Sequence, residues 1–281
     1  MQDIEEEIRD NVQRALQEDI GSGDLTALLV PDNKTLKARV ITREDAVVCG
    51  TQWFNACFRS LAPDIVIQWF FKDADRIRAN QTLCEITGSA RAMLTAERSA
   101  LNFLQLLSAV ATQTRHFADA IAGTSAVIVD TRKTLPGLRL AQKYAVTCGG
   151  GVNHRVGLYD GILIKENHII AAGGILPALT HAREIASPDV FIQIEVETVQ
   201  QLQEAIAAGA VMVLLDNFSL AQLRNAVALT RQHSGQRIIL EASGNMTLDT
   251  VRQVAETGVD RISIGGLTKN IQAVDLSMRF V

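Results

Sequence analysis

Only four of the 281 residues are cysteine, and no two of them stand at C-x-x-C spacing. Cys49, Cys57, Cys84 and Cys148 each sit in apolar surroundings. Neither a disulfide framework nor a cysteine-based zinc set is therefore expected, and they read as reduced core residues of a cytoplasmic protein. No apolar run reaches the roughly 18 residues that a membrane-spanning helix needs. The stretch from Met1 to Asp10 is acidic and has no basic or apolar leader pattern, so no secretory signal is expected. Positive charge is not in excess: 27 Lys and Arg against 31 Asp and Glu leave a net charge of −4. That balance argues against general nucleic-acid affinity. No nucleophile–base pair stands out, and neither His154 nor His168 is followed by metal-ligand spacing.

Hydrophobic residues make up 47% of the chain, enough for a sizeable core. The length suits one α/β barrel, or a barrel trimmed to leave room for a second small domain. Ile4, Ile8, Val12, Ala15 and Leu16 have the spacing of an amphipathic helix, which Gly21-Ser22-Gly23-Asp24 ends. Strands are expected over 36–42 and 65–71, with a helix over 51–61 between them. Residues 75–88 look like a hairpin. They resemble half of a biotinyl or lipoyl domain, but lack a lysine at a turn tip to carry the group. A long helix, carrying Arg98, is expected over 92–122, with a break near Ser108. From Ala126 onward short apolar strands alternate with helices. Strands fall at 126–129, 161–164, 190–196, 211–215, 238–240 and 261–264. The helices between them fall at 138–148, 175–186, 198–208, 220–233 and 248–257. Such alternation implies a parallel sheet covered by helices: an incomplete barrel or an open doubly wound sheet. The missing G-x-G-x-x-G after the first strand disfavours a dinucleotide Rossmann site.

In a barrel the chemistry lies where strands end. Those positions here hold Arg132 and Lys133, then Lys165 and Asn167, then Glu195 and Glu197. Asp216 and Asn217 follow, then Glu241, Ser243 and Gly244, then Gly265 and Gly266. Arg132, Lys133, Arg155, Lys165 and a protonated His154 would suit a ligand with several negative charges. Glu195 and Asp216 beside a phosphate site imply Mg²⁺. The glycine turns near Ser243 and Gly265 offer backbone N–H groups to a terminal phosphate. The residues thus ask for a polyanionic small acid, a magnesium-bound polyphosphate and a sugar phosphate. A Schiff-base aldolase using Lys165 would leave Arg132, Arg155, Glu195 and Asp216 without roles.

Several long motifs closely resemble the quinolinate phosphoribosyltransferase family, whose members are also called nicotinate-nucleotide pyrophosphorylases (carboxylating). These are D-T-R-K-T-L-P-G-L-R at 130–139, K-Y-A-V-x-C-G-G-G-x-N-H-R at 143–155 and L-I-K-E-N-H at 163–168. They continue with I-E-V-E, L-L-D-N-F, E-A-S-G-N and E-T-G-V-D-x-I-S-I-G. The likeness reaches R-E-D-A-V-V-C-G, T-A-E-R-S-A-L-N-F and D-L-S-M-R-F, so it covers essentially the whole chain. It implies an α/β-sandwich N-terminal domain over 1–108 and an open, incomplete α/β barrel over 109–281, of seven parallel strands where the alternation above gives six. The helix 92–122 would cross to the barrel, and the last residues would pack back on the first domain. It implies transfer of phosphoribose to quinolinate with loss of the 2-carboxylate, in NAD biosynthesis. A molybdate-transport-associated paralogue of the same fold is the nearest alternative, and the intact T-R-K and N-H-R sets argue against it. Carried over by motif, Thr131, Arg132, Lys133, His154, Arg155 and Lys165 would hold quinolinate. Lys133, Lys165, Glu195 and Asp216 would meet the sugar pyrophosphate and be catalytic. Glu195 and Asp216 would hold Mg²⁺ directly or through water. Ser243, Gly244, Asn245, Ile264, Gly265 and Gly266 would hold the 5′-phosphate, with Gly266 standing where alanine is frequent. A homodimer is implied, with Arg98 reaching the partner's site.

Overall fold

The computed structural model describes residues 4–232 and 237–281. The first part of the chain forms α1 (Ile4–Ile20), β1 (Thr35–Thr42), β2 (Ala46–Val47), α2 (Thr51–Leu61), β3 (Val66–Trp69), β4 (Arg76–Ile77), β5 (Thr82–Ser89) and α3 (Ala90–Ala120). Then come β6 (Val127–Val129), α4 (Arg139–Cys148), β7 (Gly161–Ile164), α5 (Glu166–Ala172), α6 (Ile175–Ile185), β8 (Phe191–Val196) and α7 (Val199–Ala207). The last elements are β9 (Met212–Asp216), α8 (Leu220–Gln232), β10 (Ile239–Ser243), α9 (Leu248–Ala255), β11 (Arg261–Ser263), α10 (Gly266–Lys269) and β12 (Leu276–Phe280). His233, expected to close the helix over 220–233, lies outside the described residues. Among the described residues, no helix is long and apolar enough to cross a membrane.

The chain divides into two compact units, each drawn from several segments. The first takes in residues up to Arg115, Thr134–Gly150 and Leu267–Val281; the second takes His116–Lys133 and Gly151–Gly266. In the first unit β12, β1, β5 and β3 form an antiparallel sheet in that order, and β2 pairs with β4. α2 buries Trp53, Phe54, Cys57 and Phe58, which share one face at helical spacing. The Phe54 ring packs against Phe58 at 4.9 Å and edge-on against Trp69 at 5.2 Å. The buried Trp53 donates its Nε1–H to Asn11 Oδ1 of α1 at 3.1 Å, so its polar end is satisfied inside the core.

Two expectations for this unit fail. Residues 75–88 do not make a hairpin, because β4 pairs with β2 while β5 lies between β1 and β3. The turn signal was real: Asn80 sits at φ 67°, and Gln81 N donates to Arg78 O. The turn redirects the chain into another sheet, where Leu83, Cys84 and Ile86 become buried. α3 runs unbroken through Ser108. Rather than competing with the helix, the Ser108 hydroxyl turns sideways, accepting from Cys49 N at 3.0 Å and donating to Cys49 O at 3.2 Å.

The second unit carries a six-stranded, wholly parallel sheet in the order β6-β11-β10-β9-β8-β7. Each strand from β7 to β11 lies beside the next in sequence, as in a barrel, and β6 then joins β11. β6 and β7 are its open edges, so the mixed α/β fold is an incomplete barrel of six strands. The strands are buried apolar runs: in β9, Met212 to Leu215 are all buried and only Asp216 emerges at the end. At the β6 edge a single parallel bridge joins Val129 to Val152. That step carries the following residues, Asn153-His154-Arg155, along the sheet's C-terminal end.

Candidate active site

The strand ends of the second unit enclose a cavity of about 240 Å³. Its wall includes Thr131, Arg132 and Lys133 after β6, His154 and Arg155 beyond the Val152 bridge, and Lys165 after β7. Asp130 after β6, Glu195 of β8, Glu241 and Ser243 of β10 and Ser263 of β11 complete the polar side. Nine residues singled out from the sequence thus come together: Thr131, Arg132, Lys133, His154, Arg155, Lys165, Glu195, Glu241 and Ser243. Most of them stand at or just beyond strand ends, because an apolar strand stops where the chain leaves the sheet and a charged side chain can there face a cavity; Glu241, in the middle of β10, is the exception.

The others stand around it. Asp216 ends β9 in register with Ser243 and accepts from Asn217 Nδ2 at 2.9 Å. Gly244 lies at φ 113°, and a Cβ there would collide with the Asn217 side chain, so only glycine fits. Gly265 comes so close to Lys133 that a Cβ would sit 2.9 Å from its Cδ. Ile264 is buried and donates its N–H to Val129 O at 2.9 Å. Asn245 lies two residues beyond the end of β10, and Gly266 lies three beyond the end of β11, where it opens α10. Arg98 belongs to the first unit, exposed on α3 beside buried Ala96, Ser99 and Ala100.

The charges are uneven in their surroundings. Lys165 Nζ lies 3.5 Å from Glu195 Oε2. Burial nonetheless holds the Glu195 carboxyl above the usual carboxylate value; Lys165 opposes the shift, and Asp216 and Glu197 add to it. Two carboxylates from adjacent strands, partly desolvated and mutually repelling, form an all-oxygen donor set of the kind a hard divalent cation relieves. Arg155 is drawn below the ordinary guanidinium value by burial and by neighbouring Arg132. Its Nη1 donates to Gly161 O at 2.9 Å, which fixes the fork while the two cations crowd each other. Crowded cations in a half-buried cavity favour an anion between them.

His154 departs from its expected role as a protonated cation. Its backbone N–H donates to Asp130 Oδ1 at 2.8 Å. Its Nδ1 accepts from Arg155 N at 2.7 Å, so the ring proton belongs on Nε2, which donates to Gln193 Oε1 at 2.8 Å. The ring is a neutral, oriented donor. His168 is likewise committed, its Nδ1 accepting from Lys165 N at 3.0 Å at the start of α5.

The network continues beneath the cavity through Gln193 to Glu241, one of the strand-end candidates. Gln193 is fully buried and donates its Nε2–H to Glu241 Oε2 at 3.2 Å. Glu241, also fully buried, pairs with Arg261 Nε at 3.1 Å, while its Oε1 lies 3.8 Å from His154 Nε2 and makes no hydrogen bond among the described residues. Asp130, the first residue of the D-T-R-K motif, was given no role, and Gln193 escaped notice. The one available signal was Gln193's position as a lone amide inside the apolar run of β8.

Family models describe both parts of the chain. The C-terminal domain of quinolinate phosphoribosyl transferase matches residues 110–279, and the N-terminal domain matches residues 24–108. A probable nicotinate-nucleotide pyrophosphorylase [carboxylating] of Bacillus subtilis (strain 168) is 41% identical, over 93% of this chain and 89% of its own length. The nicotinate-nucleotide pyrophosphorylase [carboxylating] of Mycobacterium leprae (strain TN) is 38% identical over 96% of each chain. Among solved structures, the nicotinate-nucleotide pyrophosphorylase from Francisella tularensis superposes with a TM-score of 0.94 at 44% identity, covering 98% of this chain and 96% of that one.

Proposed function

The chain belongs to the quinolinate phosphoribosyltransferase family, and from that premise we propose how its cavity carries the family's reaction. The enzyme is a decarboxylating pentosyltransferase of de novo NAD biosynthesis. Phosphoribose passes from phosphoribosyl pyrophosphate to the ring nitrogen of quinolinate, the 2-carboxylate leaves as carbon dioxide, and nicotinate mononucleotide and pyrophosphate result. One observation carries the assignment of the site: Arg132, Lys133, Arg155 and Lys165 converge with Glu195 on one cavity at the strand ends.

Quinolinate is a planar diacid, and Arg132, Arg155 and Lys165 neutralise its two carboxylates, with the Nε2 side of His154 and the Thr131 hydroxyl shaping the cavity. Lys133, beside Gly265, faces the sugar pyrophosphate. The backbone at Ser243, Gly244 and Asn245 and at Ile264, Gly265 and Gly266 receives the 5′-phosphate. Glu195 and Asp216 would hold Mg²⁺, and the ion would supply charge neutralisation for the departing pyrophosphate. As that group leaves, the ribose C1 gains oxocarbenium character, and the Glu195 carboxylate stabilises the growing positive charge. Attack by the ring nitrogen gives a pyridinium, whose positive nitrogen stabilises the electron pair left on the adjacent ring carbon as the carboxylate departs as carbon dioxide; a proton from solvent taken up at that carbon completes nicotinate mononucleotide. Positioning and fixed charge supply most of the acceleration. Arg98, exposed on α3, completes the quinolinate pocket of a second subunit in a homodimer. The buried free thiols suit a reducing cytoplasm.

The direct assay supplies quinolinate, phosphoribosyl pyrophosphate and Mg²⁺ and looks for nicotinate mononucleotide. Folded protein that forms none overturns the assignment.

A further inference from the structure

A second convergence of metal-type side chains lies in the first unit and shares no residue with the cavity. Cys49 stands between β2 and α2, Asp73 in the loop after β3, and Cys148 at the last residue of α4. One donor atom from each lies within 4.8 Å of the other two. Because the three come from distant parts of the chain, no ligand spacing announces them. Cys49 is fully buried and Cys148 nearly so.

The carboxylate is already held in place. Asp73 Oδ2 accepts from Tyr144 Oη at 2.8 Å and from Gly50 N at 3.2 Å, and Oδ1 accepts from Thr51 N at 3.2 Å. Outer hydrogen bonds that orient a ligating group are a regular part of metal centres. The Tyr144 ring packs on Trp53 at 5.7 Å, giving the group an aromatic wall. Burial pushes the Cys49 thiol up, while its hydrogen bond to Cys148 draws the Cys148 thiol down, so one sulfur is the readier ligand. The donor set is decisive about the class of ion. Two sulfurs and one oxygen suit a borderline-soft, tetrahedral cation, and they do not suit Mg²⁺ or Ca²⁺, which take oxygen ligands.

We propose that Cys49, Asp73 and Cys148 bind one zinc-type divalent cation per chain, fastening the start of α2, the loop after β3 and the end of α4 to one another. A fourth position is left for water.

Cobalt serves as the probe. Chelator-treated, reduced full-length chain titrated with Co²⁺ should develop thiolate-to-cobalt charge-transfer absorption that saturates at one equivalent and bleaches with one equivalent of Zn²⁺. Cys49→Ala and Cys148→Ala should each abolish the band, and Cys57→Ala, outside the cluster, should keep it. A band that never forms, or that survives in either Cys49→Ala or Cys148→Ala, overturns the proposal. Should those variants fail to fold, the unaltered chain decides: Zn²⁺ must slow alkylation of Cys148, read by peptide mass spectrometry, and unchanged alkylation overturns the site.

Discussion

Replacing Gln193 by leucine tests whether the buried network beneath the cavity sets the histidine's orientation. The side chain makes two bonds: it accepts from His154 Nε2 at 2.8 Å and donates to Glu241 Oε2 at 3.2 Å. Leucine fills a similar volume and makes neither. The His154 donor is then stranded in a buried position, at about 1–3 kcal/mol, and the Glu241 carboxylate loses one hydrogen bond, at about 1.5–3 kcal/mol. Glu241 keeps Arg261, and His154 can turn toward Glu241 Oε1, 3.8 Å away, which recovers part of the loss. The turned ring breaks the Nδ1 contact with Arg155 N, and Arg155 lines the cavity proposed to hold quinolinate. Gln193→Leu should therefore lower the melting temperature and cut kcat/KM for quinolinate on the order of 10–100-fold, about 1.4–2.8 kcal/mol. The KM for phosphoribosyl pyrophosphate should change much less. In a double-mutant cycle His154→Ala and Gln193→Leu should be strongly non-additive, since the two share one interaction. Wild-type melting together with quinolinate kcat/KM within about twofold would refute the reasoning.

Further outcomes follow from the same geometry. Nicotinate lacks the 2-carboxylate, so it leaves cations unpaired at a cost on the order of 2–5 kcal/mol. It should be a poor substrate, whereas phthalate should compete with quinolinate without reacting; equal turnover of nicotinate and quinolinate would contradict the pocket. Glu195→Gln should lower kcat yet raise thermal stability at neutral pH. A carboxyl whose pKa is raised by folding loses stability as pH climbs through the span from its unfolded value to its raised one. The variant's advantage in melting temperature should thus vanish below about pH 4, the ordinary glutamate range. Mixing inactive Arg98→Ala and Lys165→Ala chains should restore up to half the activity per mixed dimer. Demonstrated subunit exchange without recovery would exclude a role for Arg98 across the interface.

The sequence disclosed these features unevenly. β7, β8 and β9 were legible because buried parallel strands are unbroken apolar runs with abrupt polar ends, and the ends marked Lys165, Glu195 and Asp216. α5 was missed because it is seven residues long and buries none of them, so it has no apolar period to detect. Residues 75–88 misled because a turn signal reveals a change of direction and not the strand that waits beyond it. The state of His154 depends on Arg155 next to it but also on Gln193 and Glu241, which lie far away in sequence. Gln193 itself, one amide in the apolar β8, could equally have faced a helix.

The strand order also sets a timetable. Neighbours from β7 to β11 follow one another in sequence, so each can dock on the last as it forms. β6, made before all of them, has β11 as its only full strand partner among the described residues. It must wait for Arg261 and the residues after it, and in the first unit the β1 edge likewise waits for β12. Distant pairings of this kind close late and slowly, with strand edges exposed meanwhile. A nascent chain halted before Arg261 would carry Thr131, Arg132 and Lys133 after a strand held on one side by the short Val152 segment alone, and the cavity would be among the last things the protein acquires.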